Sequence, residues 1–203
     1  NAPINDPEHA KNGMITCLRM LRAVDEFSEK LVASGKPPVA MGAGINTGLG
    51  YIGEMGSTAR HSYDILGDAV STAARLESAC KGYGVVLIVG PSTYQATKKD
   101  FFYLKLDDLA VKGKNVGLDI YTALDLSGSD KAHNSANQMS HQHMHKMYTT
   151  QKFADAIEMC EDLKGCFNGK MDGYYDIWIE RCNYMATQNL APDWDGIFRA
   201  TTK

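Results

Sequence analysis

The sequence predicts an α/β fold followed by a helical hairpin, and three observations carry that expectation. Apolar residues recur at spacings of three and four near the N-terminus. Short aliphatic runs, punctuated by glycine, alternate with helical stretches as far as residue 124, and two more helical patterns follow a polar interruption.

The elements follow in order. From Asp6 to about Ser34, Ala10, Met14, Cys17, Leu18, Leu21, Val24, Phe27 and Leu31 form an apolar stripe with charged residues between them, the pattern of an amphipathic helix. GKPPV ends it, because Gly and two prolines cannot continue a helix, and Val39 to Thr47 reads as a strand. Gly48, Gly50, Gly53 and Gly56 surround Tyr51-Ile52 and suit a hairpin, with Arg60 to Leu66 as the returning strand. Asp68 reads as the cap of a helix over Ala69 to Cys80. Val85 to Val89 is a continuous aliphatic run and reads as a buried strand. A short helix from Ser92 to Lys98 and strands over Leu104 to Val111 and Leu118 to Leu124 complete this part. Residues 125–144 are polar and aperiodic and read as a linker, and the alternating His141, His143 and His145 at its end read as solvated, with no metal site assigned. His145 to Leu163 and Tyr174 to Met185 then read as two helices around GCFNGKMDG, whose apolar faces need cover. Trp178 and the tail's tyrosines are expected in its core, with Trp194 packing down the end of the chain.

Composition bounds the function. The chain has 203 residues, 44% of them hydrophobic, enough for one domain and a smaller appendage. A net charge of -3 gives no basic footprint for nucleic acid or an anionic membrane. The five cysteines are scattered without a CxxC pair, which argues against a disulfide framework or a thiolate zinc site and for a reducing compartment. No apolar run approaches a membrane span, and NAPINDPEHA lacks a signal-peptide pattern. The expected setting is the cytoplasm, as a free protein or as the cytoplasmic part of a membrane-anchored sensor.

MGAGINTGLGYIGEMGSTARHSYDILGDAVSTAARLE, followed by LAVKGK and LDIYTAL, resembles the C-terminal half of a class III nucleotidyl cyclase domain. The likeness covers residues 1–124, and the closing APDWDGIF is similar to a C-terminal extension of some bacterial cyclases. The resemblance implies a ferredoxin-like α+β sandwich with a largely antiparallel sheet. It also implies conversion of ATP to 3′,5′-cyclic AMP and pyrophosphate in intracellular signalling, at sites shared between the two subunits of a homodimer. By the family's motif, Asp64 accepts from the adenine amino group, Arg75 steadies the phosphate in the transition state, and Lys112 meets the terminal phosphates. Ser71 stands where the family commonly has asparagine for the ribose, and it shares a helical face with Arg75 at i and i+4.

The resemblance further implies two Mg2+ or Mn2+ ions whose aspartates lie upstream of this stretch, so no metal ligand is assigned in this chain; Asp6 reads as a helix-start residue. The implied domain plan is a partial cyclase domain over 1–124 without the metal-binding strands, a linker over 125–144 and a helical extension over 145–203. The chain is expected to be an N-terminally truncated fragment, inactive alone. The alternative is a degenerate cyclase-like module that binds nucleotide or pairs with a partner, with the helical tail as its protein contact.

Overall fold

The computed structural model describes residues 4–57, 60–109, 118–124 and 128–198. The chain divides into two compact units, one formed by residues 1–80 with 86–100 and the other by 81–85 with 101–203.

The first unit opens with helix α1, His9–Ala33, which buries Met14 and Leu21. Asp6 holds its start: one carboxylate oxygen accepts the Glu8 backbone N–H at 2.9 Å and the other the Asn12 side-chain amide at 3.0 Å. The Asn12 bond, then the Glu8 bond, hold the Asp6 carboxyl below its ordinary pKa. Strand β1 is only Ala43–Ile45, shorter than the sequence predicts. At the start of the predicted strand the Val39 N–H donates to Ser28 Oγ on α1, at 3.1 Å, and so is not available to a strand partner.

Strands β2, Tyr51–Ser57, and β3, Arg60–Leu66, form the expected hairpin, in register from Tyr51 opposite Leu66 to Ser57 opposite Arg60. Helix α2, Asp68–Ala79, follows at once. It lies so close on β1 that a Cβ at Gly44 would strike the Ala73 carbonyl and the Glu77 N–H. Strand β4, Leu87–Val89, is fully buried and pairs with β1 in parallel. Helix α3, Pro91–Thr97, starts on its proline, where the missing N–H has no intrahelical role.

In the second unit β5, Phe102–Leu109, and β6, Leu118–Leu124, run antiparallel, with Leu106 as the extra residue of a bulge between Lys105 and Asp107. Three helices follow: α4, Gly128–Thr149, α5, Phe153–Leu163, and α6, Asp172–Ala186. The expected linker is therefore corrected from Gly128 onward, and the extension has three helices instead of two. Its polar residues do not mark a solvated loop, because several turn inward as hydrogen-bond donors. Gln138 gives its side-chain N–H to the Tyr103 carbonyl at 2.6 Å, and His141 gives Nε2–H to the Lys105 carbonyl at 2.7 Å. Tyr148, Trp178, Tyr174, Tyr175 and Phe167 build the core of this unit. Trp194 packs edge-on against Tyr148, with ring centroids 5.2 Å apart. All five cysteines are free thiols.

Candidate nucleotide site

Three of the four candidate residues lie in the first unit. Asp64 sits in β3 opposite Gly53 and is exposed, with its carboxylate accepting the N–H of Ile65 at 2.7 Å. Ser71 and Arg75 lie one turn apart on α2 and are also exposed. Among the described residues neither makes a side-chain hydrogen bond or an ion pair, so hydroxyl and guanidinium are available to one ligand. The fourth candidate, Lys112, lies outside the described residues.

The turn that links Asp64 to α2 is made by backbone. Gly67 stands at the cap position, and a Cβ there would press on the carbonyl of Leu49. Asp68 is the first helical residue, and no side chain caps this end, which corrects its reading as the cap. In the first turn its charge still opposes the positive end of the helix.

Two open cavities of about 730 and 650 Å3 run along α1, β1 and α2, the second reaching Ile52 and Ile65 of the hairpin. Asp64, Ser71 and Arg75 line neither. They stand on open surface, and a ligand that used them all would still need walls. Among the described residues no group of three His, Cys, Asp or Glu is placed to hold a metal ion.

The second unit carries a polar cluster that sequence reasoning missed. Lys105 O accepts from His141 and, at 3.1 Å, from His145, while Tyr174 donates to the Leu106 carbonyl at 2.7 Å. This corrects the solvated reading of His141 and His145; His143 is exposed as expected. Burial drives the His141 pKa down to about 4, and burial, then His141 itself, holds His145 well below its ordinary value. Asp107 and Arg181 form an ion pair at 2.6 Å with both side chains buried, and Tyr83 donates to the same carboxylate at 2.9 Å. Arg181 also lies over the rings of Trp178 and Phe198, 4.6 and 4.7 Å from their centroids. Burial alone lowers the Arg181 pKa, yet Asp107 raises it above the ordinary value. The available signal was the i, i+4 spacing of His141 and His145, which puts both on one face of a helix.

The description "Adenylate and Guanylate cyclase catalytic domain" matches residues 2–125, more than half of the chain. The chain belongs to this family. It is 31% identical over 121 residues to adenylate cyclase 1 of Rhizobium meliloti, covering 60% of this chain and 18% of that protein. It is 36% identical over 125 residues to the terminal-differentiation specific adenylate cyclase of Dictyostelium discoideum, covering 60% of this chain and 6% of that one. The chain thus spans a small part of either relative. The adenylyl cyclase CyaB from P. aeruginosa superposes with a TM-score of 0.56 at 24% identity, over 63% of this chain and 66% of the other. The guanylyl cyclase Cya2 does so with 0.53 at 24% identity, over 63% and 64%. Both likenesses show the cyclase catalytic fold and leave the base open, since one structure is an adenylyl and the other a guanylyl cyclase. Helices α4 to α6 begin at Gly128, beyond the matched residues. Among the described residues no helix is long and apolar enough to cross a membrane.

Proposed function

We propose that this chain supplies the substrate-orienting half of an adenylate cyclase that converts ATP to 3′,5′-cyclic AMP and pyrophosphate, with its site completed by a second copy. The observation that carries this is the placement of Asp64, Ser71 and Arg75 in one unit, on a strand and the helix directly after it, all exposed and lining neither of the two cavities. In the reaction the ribose 3′ oxygen attacks the α-phosphorus, its proton is lost, and the bond to the β-phosphate oxygen breaks. Arg75, with a planar fork of donors, suits the charge that develops on the α-phosphate. Ser71 faces the same ligand but is shorter than the asparagine it replaces. Asp64 accepts from the amino group of adenine and would meet the carbonyl of guanine with repulsion. Lys112 takes the terminal phosphates.

Magnesium or manganese would supply charge neutralisation of the triphosphate. The described residues do not fit such a site, and none of the steps given to this chain runs through the ions. The setting we propose is cytoplasmic signalling, with the exposed hairpin of β2 and β3 as the contact between subunits.

The test is the nucleotide ratio. In the complete protein, Asp64→Ser should relax the preference for ATP over GTP by about tenfold or more, the scale of a lost polar contact to the base. An unchanged ratio removes Asp64 from base recognition. The serine at position 71 favours a second reading, a cyclase-like module that binds nucleotide without turning it over and uses the helical tail as its protein contact; ATP binding with no cyclic product would select it.

A further inference from the structure

The ladder of β2 and β3 sets Gly53 directly opposite Asp64. Residues opposite one another in an antiparallel pair share a face, and on that face Tyr51 and Met55 are the next residues along β2. Ile52 and Ile65 carry the other face and line the cavity beside α2. Nothing in the hairpin requires a glycine at position 53. Its φ lies outside the left-handed range, and a Cβ built there meets no atom within 4 Å. Gly50 and Gly67 differ, since a Cβ at either would press on Ile65 or on the Leu49 carbonyl. A glycine inside a strand weakens it, so β2 gives up stability at the one position across from the Asp64 carboxylate.

The result is a notch with Gly53 as its floor, Asp64 across the ladder, and Tyr51 and Met55 as its ends. Four residues of strand separate those ends by about 13 Å between Cα atoms. Tyr51 is 82% exposed and makes no ring pair among the described residues. A flat heteroaromatic ring with an exocyclic amino group fits such a place: the ring against tyrosine, the amino group on the carboxylate.

We propose that Gly53 is a specificity-determining residue, whose missing side chain opens the notch in which the base of the nucleotide lies beside Asp64. The proposal rests on the reading of the chain as a cyclase that recognises its base through Asp64.

The test uses Gly53→Val and Gly53→Ala in the complete protein. Valine is a strong strand former entering open space, so the urea midpoint should hold or rise. The KM for ATP should rise tenfold or more with valine and less with alanine. Inhibition by inorganic tripolyphosphate, which has no base, should not change. An unchanged KM in Gly53→Val overturns the proposal. So does unfolding of both variants, which would make the glycine structural, and so does loss of the dimer in sedimentation, which would assign the space to the second copy. Should the wild type fail to cyclise ATP, the cyclase reading fails separately, and displacement of ATP against displacement of tripolyphosphate still tests the notch by binding.

Discussion

Acidification should destabilise the second unit, and His141 sets the scale. It is fully buried, donates to the Lys105 carbonyl from Nε2 and in the neutral form accepts the Tyr175 hydroxyl at Nδ1, 3.0 Å away, so the uncharged ring is satisfied at both nitrogens while burial disfavours the charged one. Its pKa falls from 6.5 to about 4 on folding. A depressed pKa means that the unfolded chain takes up the proton first, so stability is fully present above pH 6.5 and is lost as the pH falls towards 4. For these two values the loss between pH 7 and pH 5 is about 2 kcal/mol, and His145 adds to it in the same direction.

Both tryptophans of the chain, Trp178 and Trp194, belong to this unit, so intrinsic fluorescence follows its unfolding. A loss of that size should move the urea midpoint down by about 1 M. His141→Gln should start from a lower midpoint at pH 7 and show a smaller drop on going to pH 5. A wild-type midpoint that is equal at the two pH values would refute the reasoning, and so would an undiminished drop in the variant.

Three further outcomes are expected. Arg181→Met leaves the Asp107 carboxylate buried without its cation, with the Tyr83 hydroxyl and the Asp108 N–H as donors, and should cost about 3–5 kcal/mol, while adding Asp107→Leu should restore most of it; urea midpoints of the single and double variants decide. Gly44→Val drives a side chain into the backbone of α2 and should destabilise the first unit by about 3 kcal/mol or more, read as early loss of protection of the α2 amides in hydrogen exchange. In the complete protein Arg75→Ala should lower kcat about a hundredfold or more, and Ser71→Asn should raise it; an unaffected kcat in Arg75→Ala would remove that arginine from the phosphate.

The first unit was largely legible because its signals are local. The stripe from Met14 to Leu21, the left-handed Gly35 just past the end of α1, and the glycines around Tyr51 each act within a few residues. Asp64, Ser71 and Arg75 were put forward as candidates through motif order, and they lie on one strand and the helix that follows it. Asp68 was misread because the tight passage from β3 into α2 uses glycine backbone at the cap, leaving the aspartate one position inside. Strand β1 was overextended; at its predicted start Val39 is held by a serine eleven residues earlier, a contact with no sequence period.

The second unit was less legible, and the bulge in β5 explains why. Leu106 has no partner on β6, and the carbonyls of Lys105 and Leu106 are satisfied by donors from elsewhere in the unit. A buried carbonyl without a donor is costly, and a charged donor would bring its own desolvation cost. Neutral histidine and tyrosine meet both conditions. A helix that must present such residues towards a strand therefore reads as polar and aperiodic by hydropathy, although its face is buried. In α4 Asn134, Gln138, His141 and His145 fall at spacings of four, three and four, a helical period written in polar residues. A search for apolar stripes misses it, whereas a search for side chains able to donate to a bulged strand, at the same period, would have found the helix and its strand together.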